Sequence, residues 1–226
     1  PVQSYRGEAE TIFIPKPLTE RLNEFSRSQG VTLFVTMLSA MKLLLARYAN
    51  DFDISVGTAI AGRSRREVEE LIGFFVNTLA LRTTLDPDWT FIELMEAVKQ
   101  TTIEAFAHPD VPFDSIVEAA APERSLSVPP VFQVMFRLHN QPMSALDIEG
   151  LDVSALPAET LTAKLDLNFS FTERTNGIGG SIEYAVDLYE AESIKRMFGH
   201  YLELLEHAMR HPEQKISRIP MLTSEE

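Results

Sequence analysis

The sequence contains no cysteine, which excludes a disulfide framework, a thiolate metal site and a thiol nucleophile. Its five histidines are scattered and no two adjoin, so no zinc site is expected. Positive charge is scarce: 20 Lys+Arg stand against 33 Asp+Glu, a net charge of −13. That balance argues against non-specific nucleic-acid binding, which needs a cationic face. Long apolar runs are missing too. The longest, around Leu43, Leu44 and Leu45, falls far short of the ~20 residues of a spanning helix, so no membrane is expected. The opening PVQSYRGEAETIF has no basic stretch followed by an apolar one, and a cytoplasmic location is expected. Asn168-Phe169-Ser170 matches a glycosylation sequon but lies inside an alternating strand pattern and reads as coincidence. There is no G-x-S-x-G elbow and no Walker loop, and Gly177-Ile178-Gly179-Gly180 reads as a hairpin tip rather than a dinucleotide fingerprint.

Apolar residues are abundant, at 45%, which excludes a disordered chain. Thr11 to Ile14 form a short strand stopped by Pro15 and Pro17, and Leu18, Leu22 and Phe25 share a helix face that ends near Gly30. Thr32 can cap the next helix, whose residues Phe34 to Tyr48 are so broadly apolar that it must be central to the core. Strands are expected at Asp53–Ala61 and Phe75–Thr83, with an exposed, charged turn or short helix from Arg63 to Glu70 between them. Thr90 and Glu93 form a capping box for a helix reaching about Phe106. A short helix through Ile116 and Val117 follows. The apolar run Val131–Leu138 reads as a strand buried on both faces. Leu165 to Thr172 and Ile178 to Leu188 alternate as a hairpin turning at Asn176-Gly177, and Ile194 to Ala208 form an amphipathic helix. The order predicts one α/β domain, a two-layer sandwich of mixed sheet and flanking helices.

Composition and periodicity stop there; three segments go further. Ile72-Gly73-Phe74-Phe75-Val76-Asn77-Thr78 through Arg82 resembles the I-G-x-F-V-N-T-x-x-x-R motif of condensation domains from non-ribosomal peptide synthetases. His108-Pro109-Asp110-Val111-Pro112-Phe113-Asp114 is similar to that family's H-Q-D-x-P-F-E, with Pro for Gln and Asp for Glu. Arg124-Ser125 and Pro130-Val131-Phe132-Gln133-Val134-Met135-Phe136 resemble its R-x-x-S-x-x-P-L-F-Q-V-M-F segment, with Val131 replacing Leu. Gly57-Thr58, Ala61-Gly62-Arg63 and Ala163-Lys164-Leu165-Asp166-Leu167 match further stretches in the right order. The family's H-H-x-x-x-D-G motif is absent.

The resemblance implies a chloramphenicol acetyltransferase-like fold and the C-terminal lobe alone, at residues 1–211, with 212–226 opening a linker toward an adenylation domain. It implies that no catalytic residue lies in this chain. The N-terminal lobe would bring the His pair, and donor and acceptor peptidyl carrier proteins would deliver substrates on phosphopantetheine arms, with no metal or other bound cofactor. Thr58, Gly62, Gly73, Phe75 and Asn77 are candidates for the substrate tunnel, and a crossover from His139 to Thr162 would reach the other lobe.

Each candidate has a plainer reading. Asn77, mid-strand among apolar neighbours, must find partners for its amide, by bonding a neighbouring segment or by lining the tunnel. Gly73 serves backbone geometry, and Phe74 and Phe75 read as core packing. Arg63, Arg65 and Arg66 form the densest basic cluster, either a solvated face or a docking site for a carrier protein or its phosphate. His108 and Asp110 read as parts of a rigid turn rather than a dyad, with Pro112, Phe113 and Arg124 as structural motif residues. The alternatives to a condensation lobe are a non-catalytic, carrier-docking lobe and the related epimerisation and cyclisation domains.

Overall fold

A computed structural model describes residues 4–63, 66–68, 71–120, 128–139, 161–223 and 226. Six strands form one mixed sheet in the order β1-β6-β5-β4-β2-β3. They are β1 (Gly7–Pro15), β2 (Asp53–Ile60), β3 (Asn77–Thr84), β4 (Val134–His139), β5 (Leu167–Arg174) and β6 (Gly177–Ala185). The pairings β1–β6, β6–β5 and β2–β3 are antiparallel. The central pairings β5–β4 and β4–β2 are parallel, with Gly57 opposite Met135. The hairpin turns on Thr175 and Asn176, one residue earlier than expected. Arg174 pairs with Gly177, which opens β6 at φ 144, where a Cβ would lie 2.2 Å from the Ile14 carbonyl oxygen and only glycine fits.

The helices are α1 (Lys16–Ser28), α2 (Leu33–Ala49), α3 (Phe91–Phe106), α4 (Phe113–Ala120) and α5 (Ala191–Arg210). Thr32 caps α2, accepting from the Val35 N–H, and the Thr90–Glu93 capping box opens α3. α2 is buried along nearly its whole length, as its apolar breadth requires, and packs between α1, α3 and α5 over the sheet. Alternate strand residues face this helix layer: Ile54 and Val56, Leu167, Phe169 and Phe171, and Ile178 and Ile182. A file of rings crosses it from Phe34 to Phe136, Phe171 and Tyr201, with centroids 5.4–6.0 Å apart, and the Tyr201 hydroxyl donates to the Met37 carbonyl.

β4 departs from the expected strand. Only Phe136 in it is fully buried, and Val131 to Gln133 lie before it, so the apolar run does not read out as a strand covered on both faces. β3 likewise starts at Asn77, two residues late. Residues beyond 211 pack on the domain: Ile216 and Ile219 are fully buried, Ile216 N–H donates to the Trp89 carbonyl, and Phe91 N–H donates to the Pro212 carbonyl. His200, also buried, bridges the Tyr48 hydroxyl and the Glu226 carboxylate at 2.7 Å each. Among the described residues no single helix is long and apolar enough to cross a membrane.

Among the described residues the core holds one lysine and no arginine. Lys42, on α2, is fully buried, and its Nζ donates to the Leu81 carbonyl (2.6 Å), the Thr83 hydroxyl (2.8 Å) and the Ile54 carbonyl (3.4 Å). The ammonium's three protons thereby tie the helix to β2 and β3. Burial pushes its pKa down to about 7, against a smaller opposing pull from the Asp53 charge. Between pH 7 and the ordinary lysine range the unfolded chain therefore holds a proton that the folded chain lacks, and stability rises with pH across that window. Relative to Lys42→Met, the native protein should gain up to about 1.4 kcal/mol per pH unit between pH 8 and 9 in urea unfolding. Parallel stability curves for the two proteins would contradict the assignment.

Candidate functional site

The motif residues meet at one corner, and the chain's backbone is bent to make it. Pro129 and Pro130 lead into Val131, a β-branched residue at φ 71, and Phe132 N–H donates across it to the Pro130 carbonyl at 2.8 Å. A γ-turn with positive φ is rare and strained. It turns the Phe132 ring onto Gly57 of β2, on the sheet face opposite the main helix layer. A Cβ at Gly57 would lie 2.3 Å from that ring. Phe113, the first residue of α4, stacks on Phe132 with centroids 5.3 Å apart.

Asn77 completes the corner. It is the first residue of β3 and not a mid-strand position. Its Nδ2 donates to the Pro109 and Val111 carbonyls at 2.8 and 2.7 Å, and its Oδ1 accepts from the Thr78 N–H at 2.9 Å. All of the amide's strong geometry is thus spent holding the His108–Pro112 turn. His108 is exposed, and among the described residues no hydrogen bond joins it to Asp110, nor does Asp110 accept backbone N–H groups of the turn. The Pro112 carbonyl accepts from Ser115 and Ile116, starting α4. Arg124 lies outside the described residues.

The segment joining β2 to β3 is built on two close contacts. Gly62 has φ 62, and a Cβ there would lie 1.7 Å from the Phe75 carbonyl oxygen. The Arg63 guanidinium sits 4.4 Å from the Phe75 ring centroid and donates to the Val68 carbonyl. Phe75 is therefore a half-buried platform for Arg63, and Gly73 lies against its other part. Arg66 opens a short 3-10 turn, Arg66–Val68; its side chain, and all of Arg65, lie outside the described residues. Phe74, expected in the core, is 93% exposed, and Ile72 is fully exposed at 105%.

Beside this segment lies a cavity of about 770 Å³ at the carboxyl ends of the parallel strands β2 and β4. Thr58 to Ala61 form one wall with Val76. Thr32 and Phe34 come from the start of α2, and Thr102, Ile103 and Phe106 from the end of α3. Arg137, Leu138 and His139 of β4 form the remaining side. Of the expected tunnel residues, Thr58 alone lines this cavity. Gly62, Gly73 and Phe75 shape the neighbouring segment, and Asn77 holds the turn. Arg137 and His139 were missed by sequence reasoning, although an arginine inside the apolar run Val134–Leu138 is itself a signal. Among the described residues no cluster of His, Asp and Glu could hold a metal ion. Nearly all of the crossover expected from His139 to Thr162 lies outside the described residues.

The sequence matches the family model "Condensation domain" across residues 1–226. It is 44% identical over 225 residues to a linear gramicidin synthase protein of Brevibacillus parabrevis, covering 98% of this chain and 4% of that protein. It is 38% identical over 224 residues to tyrocidine synthase 3 of the same organism, covering 99% of this chain and 4% of that protein. Among solved structures, the X-domain from teicoplanin biosynthesis superposes with a TM-score of 0.90 at 30% identity, over 98% of this chain and 51% of that one. The condensation domain of the monacolin K polyketide synthase MokA, at 22% identity, shares the fold with a TM-score of 0.81, over 95% of this chain and 49% of that one. The mixed sheet under one helix layer is the chloramphenicol acetyltransferase-like sandwich of these structures. The chain spans only a few per cent of the curated relatives and about half of the structural neighbours.

The Asn77 clamp predicts a stability effect that a purely tunnel-lining residue would not show. Asn77→Ala should cost about 1–3 kcal/mol in urea unfolding, and Asn77→Asp at least as much, because its carboxylate would face two carbonyl oxygens. Unfolding curves identical to wild type for both variants would contradict the clamp.

Proposed function

The chain belongs to the condensation-domain family, and on that premise we propose that it is the C-terminal lobe of a non-ribosomal peptide synthetase condensation domain. In this reading the cavity is one wall of a tunnel completed by an N-terminal lobe. Donor and acceptor carrier proteins present their substrates there on phosphopantetheine arms. The acceptor amine nitrogen attacks the donor thioester carbonyl; the C–N bond forms, the C–S bond breaks, and the thiol leaves with the proton that the amine gives up. The group that moves that proton would come from the other lobe, since this sequence has no paired histidines.

The observation that carries the reading is the apolar row beside the cavity. Ile72 and Phe74 are all but fully exposed, and Val76, Ile103 and Phe106 are each about half exposed. Apolar side chains gathered in water at the rim of a cavity mark a surface that another body covers. The structural neighbours are about twice as long as this chain, which suits a second lobe as that body. Within this reading the corner of Asn77, Phe113, Phe132 and Gly57 sets the wall, and Thr58 faces the substrate. Arg65 and Arg66 are the residues proposed to meet an acidic carrier, while Arg63 serves the Gly62–Phe75 segment. The residues from 212 on would lead to an adenylation domain from a path fixed by Ile216 and Ile219.

A second reading, a lobe that docks other proteins without catalysis, draws support from a 29%-identical structure solved as a complex of the X-domain and OxyB. One assay separates the two. Loaded donor and acceptor carrier proteins should give no amide with this chain alone and should give amide when it is joined to the His-bearing lobe. Ile72→Glu with Phe74→Glu should lower that activity tenfold or more while leaving the unfolding of the isolated chain unchanged. Turnover by the chain alone would overturn the lobe assignment. Carrier binding without turnover in the joined protein would favour the docking reading.

A further inference from the structure

The three threonines of the cavity are not equivalent. The Thr32 hydroxyl accepts the Val35 N–H and the Thr102 hydroxyl donates to the Val98 carbonyl at 2.7 Å, so both serve their own helices. Thr58 is only 3% exposed, and among the described residues its hydroxyl has no hydrogen-bond partner. It shares the helix-side face of β2 with Ile54 and Val56, and at its level that face lines the cavity. A buried hydroxyl is normally bonded, so Thr58 points to a polar atom that the cavity receives. The walls beside it are apolar. Phe34, Ile60 and Leu138 are half-buried, and Val76, Ile103 and Phe106 stand about half exposed toward the rim. No Asp, Glu or Lys lines the cavity among the described residues. Leu138 lies on the same face of β4 as the core residue Phe136, whereas Arg137 belongs to the opposite face and His139 is exposed at the end of the strand.

We propose that this cavity is an apolar subsite with one hydrogen bond built in: it takes an aliphatic or aromatic acyl or aminoacyl group, whose carbonyl oxygen accepts from the Thr58 hydroxyl. The inference rests on the reading of the cavity as a substrate wall and names the substrate class for it. Ligand pockets of roughly 300–1,000 Å³ combine mostly apolar walls with a few placed polar groups, and this cavity has that make-up. Hydrocarbon laid against these walls is held in proportion to the area it removes from water. A carboxamide or charged side chain would give up its water to meet mostly hydrocarbon. Thr58 orients the acyl group and moves no proton: its hydroxyl fixes where the carbonyl lies, while the walls select the chain attached to it.

The test titrates the 226-residue chain with two pairs of pantetheine compounds and follows the Ile60, Ile103 and Leu138 methyl resonances by NMR. The leucyl and asparaginyl amides of aminopantetheine carry near-isosteric side chains. The isocaproyl thioester and the isohexyl thioether of pantetheine carry one branched chain with and without a carbonyl. The leucyl amide should bind roughly tenfold or more tighter than the asparaginyl one. Thr58→Val should weaken the thioester about threefold or more and leave the thioether unchanged, and Thr58→Ser should keep the wild-type difference. Equal binding of the leucyl and asparaginyl compounds would overturn the apolar subsite. No loss in Thr58→Val, or an equal loss for thioester and thioether, would overturn the hydrogen bond. Either result leaves the tunnel reading intact. Loss of leucyl binding once the chain is joined to the His-bearing lobe would mean that the other lobe fills the cavity, and would overturn the subsite. If no pantetheine compound binds, N-acetyl-leucine methyl ester against N-acetyl-asparagine methyl ester decides: a leucine preference at the same methyls upholds the subsite and overturns the tunnel reading, and equality or silence overturns both. The thermal unfolding of Thr58→Val, matched to wild type, guards against simple loss of fold.

Discussion

A side chain of any size at position 57 would collide with the ring of Phe132, and that exclusion organises the cavity end of the sheet. Phe132 reaches Gly57 only because the backbone at Val131 adopts a conformation that a β-branched residue resists. Phe113 then packs on Phe132 and starts α4, and Asn77 holds the turn that precedes it. Four stretches distant in sequence thus share one packing solution. Their joint product is the placement of β2 and β4 side by side, with their carboxyl ends opening on the cavity. The residues by which the chain resembles its family are mostly architecture in this structure.

The buried cation Lys42 is put to structural use. Lys42 finds three acceptors, two of them strand carbonyls, and joins α2 to the β2–β3 ladder. Desolvating a charge is costly, and the cost is offset at Lys42 by internal partners and by a pKa near neutrality.

Local signals were legible in the sequence, and long-range ones were not. The capping box at Thr90 and Glu93, the cap at Thr32 and the alternating hairpin from Leu167 depend on residues within a few positions of each other, and the structure contains all three. The start of β3 was misplaced because Phe75 looks like a strand residue, yet Arg63 claims its ring. The run from Val131 to Leu138 looked buried on both faces because its composition is apolar. In fact Val131 turns, Phe132 covers Gly57, and Arg137 is only half-buried. Asn77 could be assigned a need for partners but not the partners, which lie 32 and 34 residues away. Lys42 and His200 gave no periodic signal, since their acceptors come from other elements.

The central claim is that the motif residues act as one mechanical unit. A double-mutant cycle between Asn77→Ala and Phe132→Leu, read in urea unfolding, tests it most directly, because the two side chains are linked through the turn and Phe113 and through the β2–β3 pairing. The account predicts a coupling of about 0.5 kcal/mol or more between them. Strictly additive losses would contradict it, and would mean that each motif stands on its own.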